Sequence, residues 1–166
     1  MKSNTGVCLW SSMLALALSG LTVPAFAALE LSTDHRSLFF GLMELGEEKL
    51  LADAGSFHNE ITCSSTEGRP WYLKVSVLQP LTSGSETIPL EQFAWQLAGT
   101  NGKGTVTNRN EFRAFALVPD LVYLSSPEEA TGQSVQLQFR YSLKIPEAQV
   151  SGVYHTTVRF TLTEIL

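Results

Sequence analysis

The chain is poor in cysteine. It has two, Cys8 and Cys63, and only Cys63 lies beyond residue 27. One thiol cannot close an intramolecular disulfide, so a disulfide-stapled fold is excluded for 28–166. Basic charge is also scarce, with 11 Lys and Arg against 16 Asp and Glu and a net charge of −5. Phosphate backbones are bound by basic patches, so nucleic acid is not an expected partner, and docking to anionic lipid is disfavoured. Past the N-terminal region there is no apolar run long enough to span a bilayer, no heptad pattern, no internal repeat and no low-complexity segment.

Catalytic motifs are missing as well. There is no G-x-S-x-G, no H-E-x-x-H and no complete phosphate loop. Gly102-Lys103-Gly104-Thr105 matches a fragment of such a loop, without the upstream glycine or a following helix. Glu47-Glu48 and Glu128-Glu129 are adjacent carboxylates in turn-like stretches, where solvation is the ordinary fate; a hydrolase on a sandwich scaffold is the remote reading. His58 and Glu60 are two apart with Asp53 upstream, but their face is opposite Phe57 and Ile61, so they read as wet-face polar residues rather than metal ligands. His155 reads as solvated. No metal and no cofactor is expected.

What is present begins with a leader. Lys2 precedes the apolar stretch LALALSGLTV, Pro24 breaks it, and Ala25-Phe26-Ala27 has the A-x-A form of a signal-peptidase site. The expectation is a cleavable signal peptide over 1–27 and one domain over 28–166, secreted or otherwise extracytoplasmic, at the cell surface or in the periplasm. Lys2 is the leader's one charged residue, so removing it from −5 leaves −6.

The rest of the chain reads as strands. WYLKVSVL (71–78), FAWQLAG (93–99), SVQLQFRYSLKI (134–145) and GVYHTTVRFTLTEIL (152–166) alternate apolar and polar positions; SLFFGLMEL, SFHNEITCSS, EFRAFALVP and LVYLSS are strand-like too. GEEKLLADAG (46–55) is the one stretch of helical composition and is too short for a stable helix, so it reads as a loop or turn. About eight strands with turn signals between them predict an all-β, antiparallel two-sheet sandwich of Ig-like or Greek-key character. Phe57 and Ile61 set Cys63 on an apolar face, where it should be buried and inert. Trp71 and Trp95 read as core rings. Tyr72 lies on the opposite face from Trp71, beside Lys74 and Ser76, and reads as exposed. The short turn PEAQVSG (146–152) predicts that the last strand is the antiparallel neighbour of 134–145 and closes the protein's own sheet.

Trp71-Tyr72-Leu73 and Trp95-Gln96-Leu97 are two W-x-L tripeptides, and GRPWYLKVSV has the form G-x-x-W-x-L-x-V. Together with the Gly-Val-Tyr ending, this resembles the WxL-domain and Ig-like surface proteins of bacteria. The resemblance implies an exported β-rich module attached non-covalently to the cell wall, with Trp71, Leu73, Trp95 and Leu97 as its motif residues. It departs from the family in that Trp95 lies mid-chain. The chain also resembles pilin-type subunits, which are secreted incomplete sandwiches that polymerise by strand exchange; it departs from them in lacking a disulfide and a long N-terminal extension.

The expected function is thus a non-enzymatic module that binds a cell-envelope polysaccharide or a protein partner, as a monomer rather than an oligomer. A pilin-like structural subunit is the alternative. Loops at sandwich ends commonly carry recognition, so the candidate contacts are Ser83 and Ser85 in 81–89, Asn101 and Lys103 in 101–108, the loop 65–70, and Tyr72.

Overall fold

A computed structural model describes residues 28–53, 57–108 and 110–165. The expected signal peptide, 1–27, lies outside the described residues. In chain order the strands are β1 (Leu29–Thr33), β2 (Glu48–Leu51), β3 (Asn59–Ser65), β4 (Tyr72–Val77), β5 (Leu81–Ser83), β6 (Glu86–Ile88), β7 (Phe93–Thr100), β8 (Thr105–Val106), β9 (Arg113–Ala114), β10 (Asp120–Leu124), β11 (Val135–Lys144) and β12 (Val158–Thr163). Two short 3-10 turns, Leu90–Gln92 and Glu129–Thr131, are the helical content of the described residues.

Two antiparallel sheets hold most of these strands. The first has the order β1-β3-β11-β7-β9, with β2 pairing to the far half of β11; the second has the order β12-β4-β10-β8. β5 and β6 form a separate hairpin. β11 is the spine of the first sheet. Its alternation puts Val135, Leu137, Phe139, Tyr141 and Leu143 inside, all buried. Trp71, Leu73 and Val75 come from the second-sheet side, and Ile61, Cys63, Trp95 and Leu97 from the first; all belong to one core. Each such side chain contributes about 1.5–3 kcal/mol by leaving water.

Several expectations are corrected here. The count of about eight strands falls short, because β1, β2, β5, β6 and β8 are brief ladders in stretches read as turns, loops or lead-in, while the strand-like EFRAFALVP keeps only the two-residue β9. SLFFGLMEL forms no strand: Leu38, Phe40 and Met43 pack onto the core from an irregular segment, while Phe39 and Leu42 face solvent. Conversely, GEEKLLADAG contains β2, which gains backbone partners from β11. The last strand does not neighbour 134–145. β12 pairs along its whole length with β4, Val158 opposite Val77 and Thr163 opposite Tyr72, so the chain crosses from one sheet to the other after β11. Inward Val158, Phe160 and Leu162 pack on the core from that position, and core burial overrides the short-turn rule.

The register sorts the loops into two ends. Leu29 pairs with Ser65, Val135 with Cys63 and Leu137 with Thr100, so 66–71, 101–104 and 125–134 share one end. β4 and β12 set 78–92 and 145–157 at the other.

Candidate functional site

The first end is held by a buried carboxylate. Glu129 is fully buried, yet one oxygen accepts from the Lys103 backbone N–H at 2.6 Å and the other from the Ser126 N–H at 2.6 Å. The Tyr123 hydroxyl donates to the same carboxylate at 2.8 and 3.0 Å and accepts from the Gly104 N–H at 2.6 Å. Burial by itself would raise the Glu129 pKa. The donors from Ser126, Lys103 and Tyr123 outweigh it and hold the carboxyl below its ordinary value. The two glycines are needed for contact: a Cβ on Gly102 or Gly104 would run into the Tyr123 ring, and on Gly104 also into the Leu124 carbonyl. The Gly-Lys-Gly segment is therefore an anion cradle whose anion is the protein's own Glu129.

The residues singled out from the sequence are not brought together. Asn101 and Lys103 sit at this end, where Asn101 exchanges hydrogen bonds with Gln136 and Lys103 Nζ meets Glu128 at 2.7 Å. Ser83 and Ser85 sit at the opposite end, in the β5–β6 hairpin and its turn, which is bridged to His155. Tyr72 lies on the outer face of the second sheet between Leu124 and Thr163, half-buried rather than exposed. Trp71, Leu73, Trp95 and Leu97 are all buried in the core and present no side chain to a ligand. Trp71 also spends its ring N–H on the Glu129 carbonyl, at 3.3 Å.

His58 is a correction. Its side chain is only 12% exposed, its ring tilted against that of His35 at 5.3 Å and edge-on to Tyr141. Asp53 lies 3.4 Å from its Nδ1 and Asp34 lies 3.3 Å from the His35 ring. Among the described residues no group of His, Cys, Asp and Glu is placed to hold a metal ion. Cys63 is buried as expected, and burial pushes its thiol up to about 12.

The arrangement with the most binding character was not marked from the sequence. It is the outer face of the first sheet. Phe139 and Tyr141 point inward, so Gln138, Arg140, Ser142 and Lys144 point out. Arg140 is opposite Gln96, Ser142 is opposite Ala94, and Ala94 is opposite Ala114. Phe112 immediately precedes β9. A shallow concavity opens here with the small residues Ala94 and Ser142 as floor, Phe112, Glu91 and Gln92 on one side, and Glu48 and Lys144 on the other. Phe112 is 44% exposed. The Ser142 hydroxyl donates to Glu48 at 2.9 Å and the Gln138 amide to Glu60 at 3.1 Å. One half-exposed ring, a floor without bulky side chains and several planar hydrogen-bonding groups suit a ligand with both an apolar face and hydroxyls. A second shallow groove, beside β1 and β3, offers Ser32, Thr62, Ser64 and Ser134 but no aromatic ring.

Alternation alone marks 138–144 as a wet face. The site needed the partners across the sheet as well: Glu48 comes from β2, a ladder too short to be read in sequence, and Phe112 is the residue before β9. Among the described residues no helix is long and apolar enough to cross a membrane. Compared with known proteins, the chain matches no family model and shows no significant similarity to a curated protein.

Proposed function

We propose that this chain is an exported, non-catalytic β-sandwich module, Ig-like and Greek-key in character, that binds a cell-envelope polysaccharide through the outer face of its first sheet. The observation that carries the reading is the concavity between Phe112 and Glu48. Sugar rings have an apolar C–H face, which a half-exposed phenyl covers, and a rim of hydroxyls, which Gln92, Glu91, Glu48 and Ser142 can bond. The A-x-A leader supports export to the compartment where such polymers lie. The repeated crossing between sheets, from β3 to β4 and from β11 to β12, supports the sandwich topology. The WxL resemblance fits as shared architecture, its tripeptides serving the core.

Three of the carboxylates that a hydrolase would need are engaged away from this face: Glu129 is buried in its cradle, Glu128 pairs with Lys103 and Glu47 accepts from the Glu44 N–H. The test is co-sedimentation of the purified protein with peptidoglycan sacculi and with isolated surface polysaccharide. Wild type should be retained by one of them, Phe112→Ala should be lost from it, and both proteins should melt alike. Retention of Phe112→Ala at wild-type level, or release of reducing ends by the wild type, would overturn the reading.

A second reading, a pilin-like subunit assembling by strand exchange, is favoured by one feature. Among the described residues β1 pairs only with β3, four of its five residues are exposed, and Leu29 and Leu31 are 37% and 39% exposed at the sheet edge. A ladder of oligomers that survives reduction would favour it; a monomer over a wide concentration range would exclude it.

A further inference from the structure

We propose that Arg140 is the recognition point for a carboxylate carried by the polysaccharide, an inference that rests on the reading above. Arg140 stands on the outer face opposite Gln96, next to the break where β3 leaves β11 and β2 joins it. It is partly buried, and its Nε is buried without a hydrogen-bond partner among the described residues. Other cations near the core surface are engaged: Lys49 with the Phe40 carbonyl, Lys103 with Glu128, Arg113 with Asp120 and Arg69 with Glu164. Among the described residues Arg140 alone combines partial burial with donors that have no partner.

The nearest carboxylates on its own face are turned to other work. Gln138 donates to Glu60 and Ser142 to Glu48, and neither carboxylate forms an ion pair with Arg140. A partly desolvated guanidinium is best completed by an oxyanion, here through its terminal Nη groups, since Nε is sealed from solvent. Lys144, exposed four residues along the same face, stands opposite Glu48. Arg140 lies two residues along β11 from Ser142 of the concavity floor. The ligand is therefore one that lies on Phe112 and carries a carboxylate that reaches Arg140.

The probes are polygalacturonate and its fully methyl-esterified form, which share a backbone and differ in carboxylate charge. Affinities are measured for wild type, Arg140→Gln, Arg140→Lys and Phe112→Ala, each checked for an unchanged melting midpoint. Wild type should prefer the acid form about ten-fold or more, Arg140→Gln should erase that preference, and Arg140→Lys should recover only part of it. Phe112→Ala should weaken both forms alike. Equal binding of the two forms by wild type, or a preference kept by Arg140→Gln, overturns the carboxylate assignment and leaves the polysaccharide reading standing. Preference for poly(glycerol phosphate) over polygalacturonate overturns it in favour of a phosphate. Binding to neither galacturonan overturns it too, and the broader reading falls with it only if sacculi and surface polysaccharide also fail to retain the protein.

Discussion

The Tyr123 hydroxyl donates to both oxygens of the buried Glu129 carboxylate, at 2.8 and 3.0 Å, and so ties β10 to the 3-10 turn that follows it. Through Lys103 and Gly104 the same pair holds the 101–104 loop, and the Ala130 carbonyl holds Gly68 of the 65–71 connection. One end of the molecule hangs on this pair.

Removing half of the pair should therefore be costly. Glu129→Gln puts an amide where three donors converge and is expected to cost about 2–4 kcal/mol; Tyr123→Phe should cost about 1–2 kcal/mol. Gly104→Ala should also destabilise, since its Cβ has no space beside the Leu124 carbonyl. Urea unfolding midpoints at fixed m-value check all three.

Acid stability follows from the same carboxylate. The folded pKa of Glu129 is lowered, so its contribution is fully present above the unfolded value, about 4.3, and is lost as pH falls through the lower folded value. Asp34 shifts the same way: partial burial raises its pKa, but the backbone N–H of Glu60, the His35 side chain and the His35 N–H outweigh this. Stability measured from pH 6 to pH 2 should fall below about pH 4, and Glu129→Gln should flatten that limb. An unchanged limb in the variant would contradict the assignment.

Cys63 should be silent in the folded protein. It is fully buried with its thiol pushed up to about 12, so a thiol reagent at pH 8 should react only after urea is added. Non-reducing gels should show no cross-linked dimer.

The last strand should be a core element. Phe160 is half-buried with its ring 5.1 Å from that of Phe139, across the two sheets. Phe160→Ala is expected to lose about 2–4 kcal/mol, whereas Arg159→Ala, on the exposed side, should stay within about 0.5 kcal/mol. Urea unfolding of the two variants checks the contrast.

Alternation made the long strands legible. The inward sets of β4, β7 and β11, the burial of Cys63 and the core role of Trp95 all follow from period two and apolar neighbours. Sheet membership did not follow, because the turn before β12 says only that the chain reverses, while the packing of Phe160 decides which sheet it joins. The Glu129 cradle was hidden for a related reason. Glu128-Glu129 reads as solvated in any local window, and only the fold brings Lys103 and Tyr123 to it. The candidate binding face was half visible: Arg140 and Ser142 show on the wet side of β11, but Phe112, Ala94 and Glu48 join them through pairings between segments far apart in sequence.

The central claim is that ligand binding uses the outer face of the first sheet rather than the loops at the ends. Chemical-shift mapping of the isotopically labelled protein, titrated with soluble oligosaccharides released from the polymer that retains it, tests this most directly. The account predicts shifts centred on Ala94, Gln96, Phe112, Arg140 and Ser142. Shifts confined to 65–70, 81–89 or 101–104, with that face unmoved, would contradict it.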